Sequence, residues 1–99
     1  MALVKIASVS DPAPGRGKLV ETEGKEIALF NVGGAFYAIG DTCTHAGGPL
    51  SEGSLQGYSV TCPWHGSLFD VRTGQNTGPP AASPVPSYKV VVQGTDVFV

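Results

Sequence analysis

Residues 26–40 read EIALFNVGGAFYAIG. Two runs of β-prone residues flank Gly33-Gly34, where a positive φ costs little, so the stretch reads as a β-hairpin. Extending it upstream to residue 18 gives KLVETEGKEIALFNVGGAFYAIG, which alternates strand, turn, strand, turn, strand. The other chain end, SYKVVVQGTDVFV (87–99), reads as a second hairpin turning near Gly94, and LVKIASV (3–9) is a further short β-type run. DPAPGRG (11–17) is a turn or loop, and no window carries a 3.6-residue period over a helical length. These features predict an all-β fold of stacked antiparallel sheets.

From Asp41 to about Pro86 clean alternation disappears and Gly and Pro accumulate. The expected organisation is one domain, 1–99, with a β base formed by 1–40 and 87–99. An inserted subdomain at about 41–86 would carry the chemistry. A chain of 99 residues suffices for one modest core. Charged residues make up only 14% and the net charge is −2. No basic cluster is present, which argues against nucleic acid and anionic membranes as partners. A mildly acidic surface suits a partner with a positive patch. No apolar run reaches membrane-spanning length, and the N-terminus lacks the basic start of a signal peptide, so a soluble cytoplasmic protein is expected.

The two Cys and two His fall into two knots, Cys43-x-His45 and Cys62-x-x-His65, separated by 16 residues. Buried core residues would rarely gather this way. A structural zinc site of two Cys and two His is permitted by ligand type, although zinc knuckles usually keep Cys with Cys and His with His. A [2Fe–2S] cluster with two Cys on one iron and two His on the other explains why each knot mixes both ligands. It also explains Gly47, Gly48 and Gly66, which leave room for backbone N–H groups close to bridging sulfides.

The stretch TCTHAGGPLSEGSLQGYSVTCPWHGSLFDVRTG (42–74) resembles the Rieske iron–sulfur proteins. It is most similar to the small ferredoxins of bacterial aromatic-ring-hydroxylating dioxygenases. The resemblance implies that Cys43 and Cys62 bind an inner iron and that His45 and His65 bind an outer one. It places Ala46, Gly47, Gly48, Trp64, Gly66, Ser67 and Pro79 around the cluster, with TGPP (77–80) as a covering proline loop. High-potential relatives carry a pair of bridged cysteines at the positions of Gly48 and Trp64 and a Tyr at that of Phe69. Here only the Ser donor is kept, as Ser67. This implies a potential in the lower half of the Rieske range of about −150 to +300 mV.

The implied function is that of a monomeric electron carrier, not itself an enzyme. It would pass single electrons from a flavin-dependent reductase to a terminal oxygenase. The alternatives are a small Rieske subunit of an assimilatory nitrite reductase and, from another class, a zinc-stabilised binding module. Among the neighbouring residues, Phe69 reads as core, Pro63 as loop-shaping, and Asp70, Arg72 and Thr73 as a turn before Gly74. Trp64 reads equally as packing or as a partner contact.

Overall fold

The computed structural model describes residues 4–44, 47–64, 66–79, 81 and 83–99. Eleven strands and one 3₁₀ turn are present in them. The strands are β1 (Lys5–Ser8), β2 (Arg16–Thr22), β3 (Lys25–Val32), β4 (Ala35–Gly40), β5 (Ser54–Gln56), β6 (Ser59–Thr61), β7 (Leu68–Asp70), β8 (Asn76–Gly78), β9 (Ser87–Tyr88), β10 (Val91–Gln93) and β11 (Asp96–Phe98). The 3₁₀ turn spans Leu50–Glu52. They form three antiparallel sheets, ordered β1-β11-β10, β2-β3-β4-β9 and β5-β6-β7-β8.

The hairpin at 26–40 forms as the sequence predicts. Val32 pairs with Ala35 across Gly33 and Gly34, which adopt φ of 60° and 97°. Positive φ at both central residues is the condition of a type I′ turn, whose twist matches that of the flanking strands. The preceding turn, between β2 and β3, imposes the same condition on Glu23 (φ 51°) and Gly24 (φ 75°).

Two hydrophobic clusters take the place of the single expected core. On β3, Ala28 and Phe30 face one cluster while Ile27 and Leu29 face the other. On β4, Tyr37 and Ile39 take the first side and Phe36 and Ala38 the second. The central sheet is thus a middle layer. One face packs on Ala7 and Val97 of the β1-β11-β10 sheet, and the other on Leu50, Val60, Phe69 and Val71 of the segment between β4 and β9. A strand buried on both faces has no reason to alternate, which is why IALF is continuously apolar.

The second predicted hairpin is shorter than 87–99. Only β10 and β11 form it, whereas Ser87 and Tyr88 pair with Ile39 and Ala38 at the edge of the central sheet. The chain changes layers at Lys89 and Val90, so its pairing partner changes there. Tyr88 remains against the second cluster, with the Lys25 ammonium 5.6 Å from its ring centroid.

Asn31 is the buried polar exception on β3. Its amide donates to the Pro12 carbonyl at 2.9 Å and its Oδ1 accepts the Gly34 N–H at 2.8 Å. Its own carbonyl accepts the Gly15 N–H. One side chain therefore fixes both the 11–15 loop and the β3–β4 turn. Replacing Asn31 with Ala strips both groups of their partners, at about 2 kcal/mol. Thermal unfolding followed by circular dichroism should show the midpoint lowered by about 10 °C.

Candidate metal centre

Two loops of the same construction emerge beside each other. The first follows β4. Thr42 and Pro49 form an isolated bridge, the Cys43 N–H donates to the Gly48 carbonyl at 2.9 Å, and the Gly47 N–H returns to the Cys43 carbonyl. Its base is held by Asp41, which is buried and accepts the Ser51 N–H through Oδ1 at 2.7 Å. The second loop joins β6 to β7, where the Cys62 N–H donates to the Ser67 carbonyl at 2.7 Å. In both, the Cys N–H is bonded to the carbonyl five residues on, so each Cys opens a closed loop in the same way. His45, Ala46 and His65 lie outside the described residues; in the chain they fall between the ends of these loops.

A third segment, following β8, closes over both. Ala81 N–H donates to Ser67 Oγ at 3.0 Å, and Thr44 Oγ1 donates to the Ser83 carbonyl at 2.7 Å. The Asn76 amide holds the Ala81 carbonyl, and Val85 N–H donates to Gly74. The expected covering loop at 77–80 is described only in part. Thr77 and Gly78 belong to β8, Pro79 lies exposed in a turn, and Pro80 is outside the described residues. The described ties to the two loops come from Ala81 and Ser83. Thr44, Ala81 and Ser83 carry no sequence signal, since a hydroxyl bonded to a remote carbonyl leaves no motif.

The two sulfurs meet beneath these loops. Cys43 and Cys62 are 2% and 1% exposed and belong to the same hydrophobic cluster as Phe30 and Phe69. Burial pushes the Cys62 thiol up, and the adjoining Cys43 thiol adds to the rise through a hydrogen bond and charge repulsion. The Trp64 N–H, 3.4 Å from Cys62 Sγ, opposes it. Two buried thiols in contact cannot both ionise unless positive charge lies between them. That is the condition a metal centre supplies, and metals bind thiolates. The donor set therefore fits an iron–sulfur group: two converging soft ligands, with a His following each Cys in the same loop.

The space around the sulfurs is shaped by Gly48. A Cβ there would lie 2.7 Å from Cys62 Sγ, 3.0 Å from Trp64 Cγ and 3.1 Å from Trp64 Cβ. Positions 48 and 64 thus face each other directly. Trp64 covers Gly48 on one side and is 50% exposed on the other. Gly47 and Gly66 are exposed in their loops. Ser67 is fully buried, and because its Oγ accepts from Ala81, its own proton remains to be donated. Phe69 is fully buried and contributes no polar group. Asp70 and Arg72 lie at the opposite end of β7 from Ser67. Arg72 grips the Asp70 carboxylate at 2.9 and 3.1 Å, holds it below the usual range, and rests 4.1 Å over the Tyr58 ring. The Thr73 and Gly74 N–H groups close the turn onto the Asp70 carbonyl.

Residues 2–89 match the Rieske [2Fe-2S] domain family. The chain is 44% identical over 99 residues to the ferredoxin component of biphenyl 2,3-dioxygenase from Rhodococcus jostii RHA1, covering 100% of this chain and 92% of that one. Among solved structures it superposes on the ferredoxin of carbazole 1,9a-dioxygenase from Nocardioides aromaticivorans IC177 with a TM-score of 0.95 and 34% identity, covering 99% of this chain and 96% of that one. It also matches a chain in the complex of reduced oxygenase and oxidised ferredoxin in carbazole 1,9a-dioxygenase, with a TM-score of 0.91 and 38% identity, covering 97% and 90%.

Gly48 is the position where a single methyl group tests this geometry. Gly48→Ala drives a Cβ into the Cys62 sulfur, whose backbone is fixed by the Ser67 bond. Iron and acid-labile sulfide per chain should fall by more than half, with the β-sheet circular dichroism unchanged.

Proposed function

The chain belongs to the Rieske [2Fe-2S] domain family, and on that premise we propose that Cys43, His45, Cys62 and His65 hold its cluster. It is an electron-transfer protein of the type that forms the ferredoxin component of ring-hydroxylating dioxygenases, and not itself a catalyst. The observation that carries the ligand reading is the pair of matching loops, each delivering one buried Cys to a common point and each containing one His. When bound, the cluster supplies reversible one-electron chemistry.

The remaining residues set the conditions for that chemistry. Cys43 and Cys62 bring two negative charges into a dry site, and the Trp64 N–H supports one of them. Ser67 offers a hydroxyl proton to a sulfur acceptor, which stabilises added negative charge. Phe69 offers none, and Gly48 with Trp64 leaves no bridge between the loops. One donor where high-potential relatives have more favours a potential in the lower half of the Rieske range. A flavin-dependent reductase is then a suitable electron source and the terminal oxygenase the acceptor. The relatives' names favour an oxygenase system over an assimilatory nitrite reductase. Among the described residues no helix is long and apolar enough to cross a membrane, and we place the protein as a monomer in the cytoplasm.

Purified protein should be red-brown and give, when reduced, an EPR signal of mixed His/Cys ligation. Its midpoint should lie near or below zero, in the lower half of a span of about −150 to +300 mV, and a value well above about +150 mV overturns the low-potential reading. A colourless protein holding one zinc overturns the reading. Ser67→Ala should lower the midpoint by up to about 100 mV, the scale of one hydrogen bond to a charged acceptor. Direct voltammetry of wild type and variant checks it.

A further inference from the structure

We propose that a cavity on the far side of the central sheet from the two sulfurs binds a flat aromatic carboxylate. The inference goes beyond electron transfer and does not rest on it.

The cavity has a volume of about 540 Å³ and lies where the β2–β3 turn, the chain from β9 into β10, and residues 4 and 99 meet. Small-molecule sites commonly span about 300–1,000 Å³ and are mostly apolar with a few polar groups. Val4, Ile27, Val91 and Val99 supply the apolar lining here, and Tyr88 adds an aromatic ring. Val4 and Val99 hold each other in place, the N–H of each donating to the carbonyl of the other at 2.9 and 3.0 Å. Ile27 and Tyr88 belong to the second hydrophobic cluster, whereas Cys43 and Cys62 belong to the first. The central sheet thus separates this cavity from the metal centre.

The charges that line it suit an anion. Lys25 and Lys89 are present with one acidic side chain, Glu23. The strand register explains the sorting. Lys25 pairs with Thr22 and Ile27 with Val20, which places these four on one face of the sheet. Glu21 and Glu26, paired between them, belong to the opposite face. The whole chain has a net charge of −2, so the balance at the cavity is locally reversed. Among the described residues neither Lys25 nor Lys89 is in an ion pair, and both charges remain for a ligand. The Lys25 ammonium stands 5.6 Å from the Tyr88 ring centroid, which sets a cation beside an aromatic surface. A ligand ring packs on Tyr88 and the valines, and its carboxylate meets the two ammonium groups.

The test is an amide NMR titration of the cluster-bearing protein with naphthalene-2-carboxylate. Naphthalen-2-ylmethanol and naphthalen-2-ylmethylamine serve as neutral and cationic probes of the same shape. The carboxylate should shift the amides of 22–27, 87–91 and 99 saturably, with a Kd of about 1 mM or tighter, the scale for a ligand of this size. It should bind at least about threefold tighter than either other probe, as expected of exposed charge pairs. Lys25→Gln combined with Lys89→Gln should remove that preference; both residues are exposed, so the fold is kept. Lys18→Gln, outside the cavity, should leave it. No saturable shift up to about 10 mM, or shifts confined to other residues, overturns the proposal. So does an alcohol or amine that binds as tightly, a preference that survives the double variant, or one lost equally in Lys18→Gln. Shifts of the same amides on raising protein concentration alone assign the cavity to a second copy of the chain and also overturn it.

Discussion

From Ile27 to Asn31, β3 has no face that meets water. Ile27 and Leu29 are sealed by one sheet, Ala28 and Phe30 by the other, and all four are at most 1% exposed. A strand so placed fixes its register from both sides, because a slip of one residue would exchange the side chains of two cores at once. β4 is paired to β3 along its whole length, and the first ligand loop leaves from the end of β4. The position of Cys43 is thus set by a strand that cannot slide. Cys62 is set from the opposite side of the same cluster, since Val60 and Phe69, which flank the second loop, pack against Phe30 and Ile39. Two remote stretches of chain converge on one point because they share a core.

That convergence has an electrostatic consequence. The sulfurs are interior atoms of a hydrophobic cluster, where an isolated thiolate is strongly disfavoured. Burial and the adjoining Cys43 hold the Cys62 thiol toward its protonated form. A cation bound between the two sulfurs would compensate the thiolate charge and hold the loops at a third point. Loading the centre and consolidating the loops would then be one process, as in other small metal-binding domains.

Much of this was legible in the chain, and what was not has physical causes. The Gly33-Gly34 hairpin announced itself because its turn demands a backbone conformation that few residues tolerate. The knots were legible because Cys and His are scarce. The second core was not, since a strand buried on both faces shows only a continuous apolar run, which is equally compatible with a single core. The layer change at Lys89 was hidden because Ser87 and Tyr88 are as β-prone as the residues that follow. The closure by Ala81 and Ser83 was invisible, because backbone groups bonded across sequence gaps of 14 and 39 residues leave no trace in composition.

An electron carrier must accept and release charge without rebuilding its surroundings, and the three segments explain how this chain meets that demand. Each loop is closed on itself by its own Cys N–H bond, and each is tied to the third segment by a side-chain hydroxyl. Among the described residues no buried side-chain nitrogen or oxygen lacks a hydrogen-bond partner, so their positions are fixed before the charge of the centre changes. The acidic group at the base of the first loop, Asp41, is already committed to a backbone N–H. Dipoles fixed before the electron arrives need no reorganisation when it does, which is the same reason that preorganised polar groups stabilise developing charge in enzymes. The rigidity that begins with a strand buried on both faces thus ends as a functional property of the loops it supports.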